Sequence, residues 1–422
     1  MLMFVGCERL VEVHDSVGFL DKLVRLDFSY CSSLKKLPRS FKLRCLESLK
    51  LEDCTSLEYF PEIECEMEHL KDLELDIMVI QELPSSITYL TGLEKLYING
   101  YISLVHFPVN IFEFEHLRDV SIINCPSMKL LPSPPPESNN LSRTYNFSSS
   151  LRTLDLSGSG IVSLPPCIEG SVRLSKLDLG ECERLEEILY LPPNIEQVDA
   201  SGCSRLKSFL PKSNNSLSRL RELNLCGSGI VSLPPCIEGS VELTKLDLRE
   251  CKQLEEILYL PPNIEKVDAS GCSSLKSFLP KSNNSLSRLR KLNLSGSGIV
   301  SLPPCIEGFV GLSKLDLRDC KQLEEILQLP PNIEEVYVSG CSSLKNFLPE
   351  SNNLSRTYNF SSSLRILELQ LSGIVSLPPC IEGFVGLSKL SLRECKQLEE
   401  ILQLPPNIKE LSSMHRRICW IV

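Results

Sequence analysis

The groups through which this 422-residue chain could do chemistry are 19 cysteines, 5 histidines and 54 aspartates and glutamates. Their spacing decides what that chemistry would be. Eleven cysteines (Cys7, Cys31, Cys54, Cys125, Cys182, Cys203, Cys251, Cys272, Cys320, Cys341, Cys395) recur at one position, just past a short alternating segment. Cys167, Cys236, Cys305 and Cys380 each close a Pro-Pro-Cys triplet. A thiol that returns once per structural unit acts as a small buried hydrophobe with a weak donor. Such a run of unpaired thiols fits a reducing compartment. His14, His69, His106, His116 and His415 lie in no His-Glu-x-x-His context, and Cys65 with His69 is the nearest approach to a metal-ligand spacing. No metal or cofactor is expected. Gly158-Ser-Gly160 and Gly227-Ser-Gly229 belong to no phosphate-binding motif and read as tight strand exits, where a positive φ is useful. Paired acids such as Glu186-Glu187 return in every copy, as a solvated loop would, and no catalytic set emerges. The chain is expected not to be an enzyme.

The remaining candidates are recognition residues. One column reads Asp155, Asp178, Asp199, Asn224, Asp247, Asp268, Asn293, Asp316. Beside it runs Thr153, Lys176, Gln197, Glu222, Lys245, Lys266, Lys291, Lys314. Like charges in one column repel unless neighbours compensate, and the lysines can compensate the aspartates. A mixed charged surface that keeps the chain in solution and a partner site are both open readings. In a third column Gly180 is replaced by Arg249, Arg318 and Arg393, and arginine forks suit carboxylates and interface hot spots. Near-identical copies offer the same chemistry several times, so specificity should come from the diverse units between Leu23 and Leu131. Lys95 and Tyr97 are the expected anchors there. The candidate partner-binding set is therefore Lys95, Tyr97, Lys176, Asp178, Asp247, Arg249, Asp316, Arg318 and Arg393.

An internal repeat must position these residues. The segment Leu151-Arg-Thr-Leu154-Asp-Leu156-Ser-Gly-Ser-Gly-Ile161 returns almost unchanged, with Ile161, Ile230, Ile299 and Ile374 marking copies 69, 69 and 75 residues apart. Shorter relatives open at Leu174 and Ile195, so each block holds three units of the form L-x-x-L-x-L-x-x-C/S-x-x-L. This is a leucine-rich repeat, and the expected fold is an α/β horseshoe solenoid. The alternating x-L-x-L segments form a parallel sheet on the concave face. Leu-Pro-Pro segments lack the donor a ladder needs, so the convex side should be extended, 3₁₀ or briefly helical. Residues 1–411 form the solenoid and 412–422 a tail. Irregular loops of Pro, Ser and Asn interrupt it at 133–150 and 349–363. The first unit begins inside a coil with no polar cap, which points to a piece of a longer protein.

Composition narrows the partners. The net charge of −10 argues against nucleic acid and anionic membranes. No segment holds the roughly 18 uninterrupted apolar residues of a membrane span, and the N-terminus does not read as a signal peptide. Residues 46–82 carry twelve acids against Lys50 and Lys71, either a solvated rim or a site for a basic partner.

The phrases Leu-Val-Glu-Val-His14-Asp-Ser-Val-Gly-Phe-Leu20, Cys31-Ser-Ser-Leu-Lys-Lys-Leu-Pro38, Glu82-Leu-Pro-Ser-Ser-Ile87 and Leu191-Pro-Pro-Asn-Ile195-Glu resemble the leucine-rich-repeat region of plant intracellular TIR–nucleotide-binding–leucine-rich-repeat receptors. The resemblance covers nearly the whole chain. It implies a cytoplasmic or nuclear recognition module for plant defence, which binds a pathogen effector or restrains the receptor's own nucleotide-binding module. The family's nucleotide-binding and NADase residues have no counterpart in this sequence. The alternative is an extracellular repeat ectodomain or a secreted inhibitor of a microbial enzyme, for which Asn140, Asn146, Asn214, Asn283 and Asn359 are formal glycosylation acceptors.

Overall fold

The computed structural model describes the chain apart from residues 77–79, 81, 101–103, 106, 108, 129–146, 212–216, 281–285, 349–362, 402 and 413–422. The five glycosylation acceptors, most of both irregular loops and nearly all of the tail lie outside the described residues. The chain folds as two compact units, Met1–Leu220 and Arg221–Val422.

In the first unit, strands Leu2–Met3, Arg25–Asp27, Ser48–Leu51, Asp72–Asp76, Lys95–Asn99, Asp119–Ile123, Thr153–Asp155, Lys176–Asp178 and Gln197–Asp199 pair in chain order. Every pairing is parallel and in register, as in Leu73↔Leu96 and Leu96↔Val120. The second unit repeats the plan, from Glu222–Asn224 through Lys245–Asp247, Lys266–Asp268, Lys291–Asn293 and Lys314–Asp316. It continues through Glu335–Tyr337, Ile366–Glu368, Lys389–Ser391 and Glu410–Ser412. Ser412, placed in the tail by the sequence reading, pairs with Ser391 in this sheet.

Alternation follows directly from strand geometry. Leu154 and Leu156 point inward with at most 1% exposure, whereas Thr153 and Asp155 face out. The turn after each strand needs a left-handed residue. Gly158 supplies it at φ 66°, and Glu181, Glu250 and Glu394 take the same conformation at 56–57°. The outer side follows from the prolines. Pro165, preceding another proline, is held extended at ψ 147°. Pro166 then opens the 3₁₀ turn Pro166–Gly170, which buries Ile168. Pro235–Gly239, Pro304–Gly308 and Pro379–Gly383 repeat it. The helical pieces among the described residues are all of this 3₁₀ kind.

The recurring acid pairs differ from expectation. Glu187 is not in a loop: Glu187–Ile188 pairs with Ser208–Phe209 in a second, two-residue parallel ladder, and Ser163 bridges to Glu187. Glu256–Ile257 and Glu325–Ile326 do the same in the second unit. The alternation of half-buried Glu and buried Ile is too short to stand out as a strand in sequence.

The cysteine column is buried, as expected, and the structure shows why. Most of these thiols donate to a carbonyl at the strand exit of the preceding coil, as Cys182 Sγ does to Leu156 O (3.1 Å) and Cys203 Sγ to Leu179 O (3.1 Å), whereas Cys125 Sγ donates to Ile123 O of its own coil (3.3 Å). The pattern continues through Cys251, Cys272, Cys320, Cys341 and Cys395, each about 3.0 Å from its carbonyl. The same carbonyl also accepts a backbone N–H of its own turn, as Leu156 O does from Ser159 N at 3.1 Å, so the thiol takes the second lone pair and satisfies its own S–H inside the core. Burial pushes the Cys54 thiol up to about 12 and raises Cys203 also. Two corrections apply. Cys7 is exposed, and the Pro-Pro-Cys thiols lie at the surface, with Cys305 and Cys380 exposed and Cys167 and Cys236 half-buried. A native thiol titration at neutral pH should therefore find Cys7, Cys45, Cys305 and Cys380 reacting first. The column from Cys31 to Cys395 should become reactive only in denaturant. A denatured chain that yields few free thiols would contradict this.

Candidate recognition surface

The outward residues of the strands form the surface on which the sequence candidates lie. In the first unit, the register sets Tyr97 between Glu74 and Ser121, and Lys95 between Asp72 and Asp119. These residues, with Glu52 and Asp76, line a cleft of about 480 Å³ floored by Leu73 and Leu96. Tyr97 is 36% exposed, unusual for a large aromatic side chain on an otherwise polar face. Partial burial, and after it the charge of Asp76, raises its hydroxyl above the ordinary value. Around it the acids are held by neighbours. Glu74 takes Lys50 Nζ at 3.0 Å, Glu52 accepts the Tyr30 hydroxyl at 2.8 Å, and Asp119 accepts Thr153 Oγ1 at 2.6 Å. Of the twelve acids in 46–82, four (Glu52, Asp72, Glu74, Asp76) thus reach one cleft, where sequence alone favoured a solvated rim over a site for a basic partner.

The aspartate column proves to be part of the backbone architecture. Oδ1 of Asp155, Asp178 and Asp199 accepts the N–H two residues on, at 3.0, 3.0 and 2.8 Å. Asn224 and Asn293 do the same at 3.1 Å. These are Asx turns that close the strand exit. Asp178 is raised by burial first, and by its neighbours Asp155 and Asp199 after it. A carboxyl whose folded-state pKa is raised costs stability while ionised, and the cost disappears as pH falls and the group protonates. Asp178→Asn should therefore leave stability at pH 7 within about 0.5 kcal/mol of the parent or slightly above it. Asp178→Ala should lose about 1 kcal/mol with the turn. Equal losses for both variants, measured by urea unfolding, would show that the charge rather than the acceptor matters.

The arginine column is also partly engaged. Arg249 forks onto Asp247 (Nε to Oδ1 2.9 Å, Nη2 to Oδ2 2.7 Å), and Arg318 onto Asp316 (2.9 and 2.6 Å). Asp316 is only 5% exposed. Arg393 differs because Ser391 stands where the other copies have aspartate. Its side chain is exposed and makes no ion pair among the described residues. Sequence reasoning missed Tyr337, which replaces the aspartate of Asp199 and Asp268. Its ring lies 4.7 Å from Lys314 Nζ and 5.7 Å from the Arg318 guanidinium carbon, and its hydroxyl donates to Glu335 at 3.0 Å. The departure of the third copy from its siblings was the available signal. Lys176 stays exposed on its strand, flanked by Thr153 and Gln197.

Parallel coils, inward leucines, outer 3₁₀ turns and a polar strand face define a leucine-rich-repeat solenoid. Its relatives are plant disease-resistance proteins, as the sequence resemblance implied. Protein SUPPRESSOR OF npr1-1, CONSTITUTIVE 1 of Arabidopsis thaliana is 30% identical over 328 residues, 76% of this chain and 18% of that protein. TMV resistance protein N of Nicotiana glutinosa is 30% identical over 279 residues, 64% of this chain and 23% of that protein. The chain thus spans about a fifth of the length of these relatives. Among solved structures, YopM from Yersinia enterocolitica is 20% identical, with 93% of this chain and 85% of that one covered and a TM-score of 0.42. No family model matches the chain.

Proposed function

We propose that the chain is the recognition surface of a plant defence receptor and binds a protein through its strand face, at the cleft around Tyr97. The observation that carries this is an exposed aromatic side chain set in a cleft of carboxylates, within the part of the chain whose units differ most from one another. A tyrosine ring offers large contact area at low conformational cost, which is why such side chains anchor interfaces. The surrounding acids select a partner segment with a basic side chain, and an arginine or lysine over the ring would gain cation–π attraction as well. The partner is a pathogen effector or the nucleotide-binding module of the same receptor. Buried, unpaired thiols fit a cytoplasmic or nuclear location. The test is a photo-crosslinking residue placed at Tyr97 or, on the outer side, at Val172, with the chain expressed in challenged leaf cells. Protein adducts from position 97 and none from 172 are the expected result. Adducts from 172 alone would overturn the assignment.

A further inference from the structure

Lys245, Lys266, Lys291 and Lys314 stand on four consecutive strands of the second unit, and the register pairs each directly with the next. Neighbouring strands are about 4.8 Å apart, so four ammonium stems rise side by side along about 14 Å. Like charges set opposite one another destabilise a sheet. The structure relieves the ends most closely. Lys245 Nζ lies 2.9 Å from Glu222 and Lys314 Nζ 3.0 Å from Glu335. The two inner lysines are left exposed. Lys266 has only a 3.9 Å approach to Asp268, and Lys291 has no carboxylate at ion-pair distance among the described residues. Lys291 also sits on the strand where the compensating aspartate is Asn293.

The fold does not require this ladder. In the first unit the same column reads Thr153, Lys176, Gln197, with the same register and the same buried leucines. A costly row of like charges that the fold can do without is explained by what it binds. We infer that the Lys245–Lys314 ladder is a docking surface for an acidic segment of a partner protein. Carboxylates at i and i+4 on one helix face lie about 5–6 Å apart, close to the rung spacing. Successive same-face side chains of an extended strand, at about 6.8 Å, fit less well. An acidic helix is thus the occupant the ladder selects. This rests on the strand face being a protein-binding surface, but uses a different unit from the Tyr97 cleft.

The test uses the full chain and two labelled probes, a helical peptide with glutamates at i, i+4, i+7 and i+11, and a single-stranded DNA oligonucleotide. Fluorescence anisotropy should show the peptide binding at low salt and releasing as salt rises. Lys266→Gln/Lys291→Gln should weaken it roughly tenfold, since both inner charges of the ladder are lost. Lys276→Gln, at an exposed lysine just ahead of the outer strand Ser277–Phe278, should leave it unchanged. The double variant should also melt no lower than the parent, because it removes repulsion. Peptide binding unchanged by the double variant would overturn the inference. So would tighter binding of the DNA probe with the same lysine dependence, which would mark a general polyanion surface. Failure here leaves crosslinks from position 97 untouched, whereas failure of the recognition reading removes those crosslinks and leaves the peptide titration standing.

Discussion

Replacing Tyr97 by alanine is expected to weaken binding of the protein partner by about thirtyfold or more, at low and high salt alike. The size follows from where the ring sits. It is the large aromatic side chain of the cleft, flanked in register by Glu74 and Ser121, and over a third of it is free to be covered. Burying an aromatic anchor removes apolar area from water, which salt does not screen. Lys95→Ala should behave differently. An exposed lysine gives an ion pair worth about 0.2–1 kcal/mol, so its loss should cost a few-fold at low salt and fade as ionic strength rises. A Tyr97→Ala chain that binds as the parent does would remove the anchor from the account.

Gly298→Ala is expected to destabilise the second unit by about 2 kcal/mol or more, from overpacking. An added Cβ would lie 2.4 Å from the Ser273 carbonyl oxygen and 3.3 Å from that of Leu275. Both oxygens are backbone atoms of the preceding coil and cannot swing aside, so the coils must part. The same collision awaits Gly160, at 2.0 Å from Pro126 O, and Gly373, at 2.3 Å from Ser342 O. Gly308 is the internal control, because a Cβ there meets nothing within 4 Å. Gly308→Ala should therefore stay within about 0.5 kcal/mol of the parent. Urea midpoints of the two variants measure the difference directly. Equal midpoints would mean the coils are less closely stacked than the structure places them.

Much of this fold was legible because the repeat makes each position speak many times. A leucine at every x-L-x-L site predicts inward side chains, and Leu26, Leu154, Leu177 and Leu315 are all at most 1% exposed. Proline chemistry likewise predicted the 3₁₀ turns. What stayed hidden depends on atoms far apart in sequence or on backbone direction. The cysteine was recognisable as buried, but its acceptor lies in the previous coil, as Leu156 O does for Cys182. The aspartate column read as surface charge, since nothing in a sequence shows that Oδ1 of Asp178 faces the N–H of Gly180. Arg249 and Arg318 read as free forks for a partner, yet the aspartate two residues back holds each of them. Tyr97 was visible because a large aromatic at an outward strand position has no core to fill.

The account is tested most directly by hydroxyl-radical footprinting of the chain with and without its crosslink-identified partner. Tyr97 (36% exposed) lies on the strand face, and Tyr89 (47% exposed) lies on the outer 3₁₀ turn Ser85–Tyr89 of the same unit. Both tyrosines should oxidise in the free chain. In the complex, oxidation of Tyr97 should fall severalfold while Tyr89 reacts as before. Protection of Tyr89 with Tyr97 still fully reactive would contradict recognition through the strand face.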